Sequence, residues 1–266
     1  MKYPILLIHG MGFRDDWKVS YWGRIKPALE NQGYDVLLSG QDSNGSVESN
    51  ANQISSRFDS FLKKYNADKV NIIAHSKGGL EARYLASSLG FADRIASITT
   101  LSTPHNGSET VDALMKFPKP LIKAGCKITD LWFRILGDKS PDTYGAIKIF
   151  LTDEAAVFNE HNPDVESVYY QSYAFVMKNA RSDMFMWFPN LVVNHLEGEN
   201  DGLLPPQAVK WTNFRGVVRG VSNRGISHCD EIDIRRKIIR ITYDGKEADI
   251  VDLYLDIAQK LERYGY

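Results

Sequence analysis

VNIIAHSKGG, residues 70–79, decides how this chain is read. Val70, Asn71, Ile72 and Ile73 make a short, mostly apolar run, which predicts a buried strand. LEARYLASSLG, residues 80–90, follows with the pattern of a helix ending at a glycine. Between the two stands Ser76, with Ala74 two positions before it and Gly78 two positions after. A serine in a tight strand-to-helix turn is either a helix cap or a nucleophile held at the tip of the turn. The small flanking residues favour the nucleophile, because such a turn needs neighbouring backbone to pass without clashes. Gly79 leaves further room for helix and strand to approach.

Outward from this turn, strand and helix signals alternate. PILLIHG (4–10) and YDVLLSG (34–40) read as strands, with a helix over YWGRIKPALENQG (21–33) between them. VESNANQISSRFDSFLKKYN (47–66) reads as one long helix with Ile54, Phe58, Phe61 and Leu62 on one side. RIASITTLSTPHNGS (94–108), SVYYQSYAFV (167–176) and VVRGV (217–221) read as later strands, and EADIVDLYLDIAQKLERYG (247–265) as a closing helix. Such alternation predicts an α/β fold with a mostly parallel sheet covered on both faces. Residues 109–150 break the pattern and read as helices without strands. At 100° per residue, Leu121, Ala124, Ile128, Leu131, Trp132 and Ile135 fall on one side, and Lys119, Lys123, Lys127 and Arg134 on the other.

The chain has 266 residues and 43% hydrophobic content, enough for one large core. With no linker or repeat, a single domain over 1–266 is expected, with 109–150 as an insertion within it. A net charge of −1 gives no reason to expect a nucleic-acid partner. Two cysteines, Cys126 and Cys229, do not indicate a disulfide framework. No apolar run reaches the roughly 18 residues of a membrane span, so no transmembrane anchor is expected. MKYPILLIHG lacks the features of a signal peptide. The expectation is therefore a cytoplasmic chain as written, or a secreted one if this is a processed mature form.

A serine hydroxyl is a weak nucleophile that needs a base, a group to orient the base, and donors for the oxyanion. In a strand–serine–helix arrangement the order along the chain is serine, acid, histidine. Of six histidines (His9, His75, His105, His161, His195 and His228), only His228 in GISHCDE follows every late strand and precedes the last helix. Asp201, in the loop ENDGLLPP, is the expected orienting acid, with Asp183, Glu197 and Glu199 as alternatives. The plainer readings are a turn residue for Asp201 and an exposed loop residue for His228. The oxyanion donors are expected to be the backbone N–H groups of Lys77, after the serine, and Met11, in HGMG after the first strand. His9 is expected to brace that loop, and His75 and His105 to play structural or supporting roles.

AHSKGG, LSTPHNGS, ENDGLLPP and the opening YPILLIHGMG, in this order, resemble the true bacterial triacylglycerol lipases of the α/β-hydrolase superfamily. The likeness runs over most of the chain and is weakest at 109–150. It implies the α/β-hydrolase fold and hydrolysis of lipidic carboxylic esters. It carries nucleophile, acid and base onto Ser76, Asp201 and His228, the oxyanion donors onto Met11 and Lys77, and a lid onto the insertion. The lid's apolar face would cover an acyl pocket and turn to a lipid–water interface, with its lysines near headgroups; packing on the core is the alternative. MFMWFP (184–189) is expected to line the pocket or pack beneath it.

The chain departs from those lipases in having Lys77 after the serine, where Gln or Met is common, and this charge is expected to bias the pocket. Several members of the family carry a structural calcium. The resemblance implies Asp230 and Asp183 as its ligands, with backbone carbonyls near Ile234 and Ile238; ion pairs with Arg235 or Arg236 would explain Asp230 equally well. No cofactor is expected for the chemistry itself. A short-chain esterase or acyltransferase with the same three residues, and a non-catalytic binding protein of this fold, stay open from sequence.

Overall fold

Eight strands form one sheet in the computed structural model, which describes residues 1–15 and 20–266. They are β1 (Ile5–Ile8), β2 (Val36–Leu38), β3 (Val70–His75), β4 (Ile95–Leu101), β5 (Tyr169–Val176), β6 (Phe214–Gly220), β7 (Arg240–Tyr243) and β8 (Lys246–Asp249). Their spatial order is β2-β1-β3-β4-β5-β6-β7-β8, with β1 to β6 parallel and β7 and β8 antiparallel. The α-helices are α1 (Ile25–Asn31), α2 (Val47–Ser55), α3 (Phe58–Tyr65), α4 (Lys77–Ala86), α5 (Glu109–Leu114), α6 (Lys119–Ile135), α7 (Thr143–Lys148), α8 (Thr152–His161), α9 (Trp187–Leu196), α10 (Pro206–Val209) and α11 (Ile250–Arg263).

The strands are apolar on both sides because helices cover both. Every residue of β1, β3 and β4 is buried. On one face Ile5, Leu7 and Ile73 pack with Trp22, Leu29, Leu253, Tyr254 and Ile257 of the α1 and α11 regions. On the other, Leu6, Ile8 and Ile72 pack with Ile54, Phe58, Leu62, Ala82 and Leu85 of α2, α3 and α4. The chain turns outward in opposite directions from β1, and ligands in such sheets sit beyond the carboxyl ends of the strands. The loops after β1, β3 and β4, and those leading from β5 and β6, converge there.

Several elements differ from the sequence reading, which also passed over α8, α10 and β7. The single helix expected over 47–66 is α2 and α3, broken at Ser56-Arg57, and the Arg57 guanidinium reaches the Ser39 carbonyl at 2.8 Å and the Gly40 carbonyl. The closing helix starts at Ile250, because 246–249 is β8. Asp244 and Gly245 join β7 to β8 with φ of 48° and 73°, the backbone of a tight type I′ hairpin.

Candidate active site

Ser76 sits between β3 and α4 with φ 55° and ψ −132°, a conformation that costs a non-glycine residue about 1–3 kcal/mol. The surroundings hold it there. Its N–H donates to the Leu101 carbonyl at 2.9 Å, and its carbonyl accepts from Thr103 Oγ1 at 2.8 Å. Close approach also explains two glycines. A Cβ at Gly78 would lie 2.6 Å from the His9 carbonyl oxygen and 2.7 Å from that of Ile8; one at Gly10 would lie 2.8 Å from Ser76 Cβ. Helix α4 thus packs directly on the backbone of β1, and the loop after β1 lies against the serine.

Lys77 does not face the pocket as expected. Its side chain is buried, donating to the Gly45 carbonyl at 2.7 Å and to the Glu81 carboxylate one helical turn on. A buried ammonium needs such a partner. Glu81 also accepts from Asn50 Nδ2 at 2.8 Å and from Gln41 Nε2 at 3.0 Å, and Gln41 Nε2 reaches the His9 carbonyl at 3.1 Å. The Lys77 charge therefore braces the loop after β1. His9 adds to the bracing through Nδ1, 2.7 Å from the Gly10 carbonyl.

His228 and Asp201, 27 residues apart, meet with Nδ1 to Oδ2 at 2.8 Å. The His228 N–H also donates to the Asp201 carbonyl at 2.8 Å, tying the two loops together. Asp201 is fully buried, and its Oδ1 accepts from the N–H groups of Leu203 and Leu204, both at 2.8 Å. Burial pushes this carboxyl up, but the His228 charge and the hydrogen bonds outweigh it and hold the pKa at about 2. It is therefore ionised at neutral pH and keeps the imidazole Nε2 free to accept a proton. The alternative acids are engaged elsewhere: Glu197 accepts from Ser108 Oγ and Thr110 N–H, Glu199 pairs with Arg219, and Asp183 pairs with Arg235.

Sequence reasoning gave no role to Glu231 or Tyr21, and both stand beside this pair. Glu231 is fully buried, with Oε1 3.9 Å from His228 Nδ1 and Oε2 3.0 Å from His75 Nε2. Tyr21 Oη lies 2.6 Å from His75 Nδ1 and accepts from the Gly10 N–H at 3.0 Å. The spacing of Glu231 three residues after His228 was the available signal, but its burial beside Asp201 is a tertiary fact.

Ser76 and His228 both line one cavity of about 480 Å³. Val111, Leu114 and Phe117 of the α5 region and Phe188, Val192 and Leu196 of α9 make much of its wall. Of MFMWFP, Phe188 and Pro189 line it, and Met184, Phe185, Trp187 and Phe188 itself are largely exposed. Helix α6 contributes no lining residue, and its apolar side is exposed: Leu121 70%, Ile128 73%, Trp132 59%. The stripe neither covers the cavity nor packs on the core. It faces outward from a helix tied to α7 by Asp130, which accepts from the Thr143 N–H at 2.7 Å.

Asp183 and Asp230 do come together, as a shared calcium site requires, but their donor set does not fit a bare cation. Arg235 stands between them, 2.7 Å from Asp183 Oδ2 and 2.8 Å from Asp230 Oδ1. Arg224 lies 3.0 Å from Asp230 Oδ2, and Ser227 Oγ donates to Asp183 Oδ2. Asp183 Oδ1 accepts from the Phe185 N–H at 2.8 Å. All four carboxylate oxygens thus face N–H or O–H donors, whereas calcium needs free oxygen lone pairs. The guanidinium supplies the positive charge at this place.

A family model described as the alpha/beta hydrolase fold matches residues 3–119. Triacylglycerol lipase 2 of Saccharomyces cerevisiae is 30% identical over 266 aligned residues, which cover 94% of this chain and 75% of that protein. A triacylglycerol lipase of Pseudomonas fragi is 26% identical, covering 99% of this chain and 97% of its own. Among solved structures, the lipase of Staphylococcus hyicus superposes with a TM-score of 0.72 over 99% of this chain and 96% of its own, at 16% identity. That likeness is one of fold; the sequence relationship to the yeast protein is one of family. The chain belongs to the triacylglycerol lipase family of the α/β-hydrolase superfamily.

Proposed function

We propose that this chain is a serine hydrolase that cleaves lipidic carboxylic esters through an acyl-enzyme intermediate. The observation that carries the reading is the strained Ser76 turn opening, together with His228, on an apolar cavity of about 480 Å³. Ser76 Oγ attacks the ester carbonyl while His228 Nε2 takes its proton. The carbonyl oxygen becomes an oxyanion, held by the backbone N–H groups of Met11 and Lys77. Collapse of the tetrahedral intermediate breaks the bond to the alcohol, and His228 returns the proton to that leaving oxygen. His228 then takes a proton from water, whose oxygen attacks the acyl-enzyme; the fatty acid leaves and Ser76 regains its proton. Asp201 holds the imidazole in the Nδ1–H tautomer and stabilises the imidazolium.

The apolar wall suits an alkyl chain. The outward face of α6 and the exposed Met184, Phe185, Trp187 and Leu191 near α9 supply apolar contact to a lipid–water interface. Among the described residues no helix is long and apolar enough to cross a membrane. The test is a series of p-nitrophenyl esters from acetyl to palmitoyl, with Ser76→Ala as control. Rates peaking at medium or long chains are expected. A peak at acetyl or butyryl would instead assign a short-chain esterase, and a transferase would favour an acceptor alcohol over water.

A further inference from the structure

Behind Asp201 lies a second carboxyl with an unbalanced set of partners. Glu231 and Asp201 are each completely excluded from solvent, and their carboxyl groups face one another. Glu231 Oε2 has a donor in His75 Nε2; among the described residues Oε1 meets no N–H donor, and the hydroxyl set against this carboxyl is that of Ser102. A buried carboxylate beside a second, ionised carboxylate is unfavourable, because like-charge repulsion between them is not screened by water. One proton placed on Glu231 Oε1 removes that repulsion, because the atom then donates to Asp201. Asp201 is the poorer place for that proton, since three N–H donors already point at it and favour its ionised form.

We propose that Glu231 is a positioning residue for the acyl-transfer reaction, holding a proton that it donates to Asp201 and so joining the loop after β1 to the acid–base pair. The inference rests on the triad reading above. The donors then run in one consistent direction. The Gly10 N–H donates to Tyr21 Oη, the Tyr21 hydroxyl to His75 Nδ1, the His75 Nε2–H to Glu231, and the Glu231 hydroxyl to Asp201, which also accepts from His228. Gly10 precedes Met11, so the chain links the segment that would bind the oxyanion to the segment that carries the base. Its geometry requires a neutral His75, and burial, with the nearby His228 charge, holds that imidazole well below its ordinary pKa. Burial and the Asp201 charge hold Glu231 well above the ordinary carboxyl range.

The groups that face Glu231 are Asp201, His228, His75 and Cys229, with Ser102 at the end of β4. Tyr254 of α11 donates to the Glu231 backbone carbonyl at 2.9 Å. The residue is thus held from three directions.

The experiment compares wild type, Glu231→Gln and Glu231→Leu in kcat, KM and the acid limb of kcat/KM against pH, with a soluble p-nitrophenyl ester. Glutamine reproduces the donor and acceptor of a protonated glutamate. In Glu231→Gln the acid limb should stay in place, and kcat should fall far less than in Glu231→Leu. In Glu231→Leu kcat should drop by up to about a hundredfold with little change in KM, the effect of a misplaced imidazole. A downward move of the acid limb by about one unit or more in Glu231→Gln would show that a negative charge had been removed beside His228, and would overturn the proposal. If the variants do not fold, the wild type decides alone. A protonated carboxyl C=O stretch in its infrared spectrum at pH 7 is expected, and its absence would overturn the proposal. Failure of a fluorophosphonate to label Ser76 would instead sink the triad reading, and this inference with it.

Discussion

At the scale of single residues, the turn at Ser76 is built from close contacts that tolerate no extra atoms. Gly78→Ala puts a methyl group against two carbonyl oxygens of the β1 segment, neither of which is the end of a flexible side chain. It should destabilise the protein by about 1–3 kcal/mol. Gly125, inside α6, has nothing within 4 Å of a built Cβ, so Gly125→Ala should stabilise by about 0.5–1 kcal/mol. Opposite shifts in Tm check this pair; equal shifts would contradict the packing described around Ser76. The strand–serine–helix turn at Ser76 was legible in the sequence because a small residue on each side is a local requirement of the turn. The pairing of Asp201 with His228 was legible from chain order and loop composition. Glu231 was not, since its meaning depends on meeting His75 across 156 positions of chain.

Elements were read less evenly. The parallel strands showed because burial on both faces makes them apolar runs. The β7–β8 hairpin was missed because Lys246–Asp249 has a polar sequence and is only half-buried or exposed, although Asp244-Gly245 marked its turn. The amphipathic pattern of α6 was read correctly as a helix, but its apolar side turned out to face solvent. Periodicity reports that a face is apolar and says nothing of what will cover it. The double variant Ile128→Ser/Trp132→Ser should therefore leave stability within about 0.5 kcal/mol of wild type. It should weaken binding to lipid vesicles and lower the ratio of emulsion to soluble-ester hydrolysis. A large fall in Tm, or an unchanged ratio, would contradict an outward, lipid-facing α6.

For the whole molecule, the sheet gathers segments from across the chain at one edge, and charged side chains lock the loops that meet there. Arg235, between Asp183 and Asp230, ties the His228 loop to the segment before α9. Neither chelation with EDTA nor added calcium should move the Tm of the wild type. Arg235→Ala should lower stability by about 3–5 kcal/mol, because it leaves a buried carboxylate without its cation. A wild-type Tm that falls in EDTA and recovers with calcium would show a metal at this place after all. The fold is expected to deliver Ser76, through its turn, as the nucleophile of one site. The most direct measurement is mass-spectrometric mapping of the adduct formed with a fluorophosphonate, with ester turnover followed in parallel. One adduct per chain, on Ser76, with turnover lost in step and Ser76→Ala both unlabelled and inactive, is the expected result. An adduct on another residue, or a folded Ser76→Ala variant that keeps wild-type turnover, would contradict it.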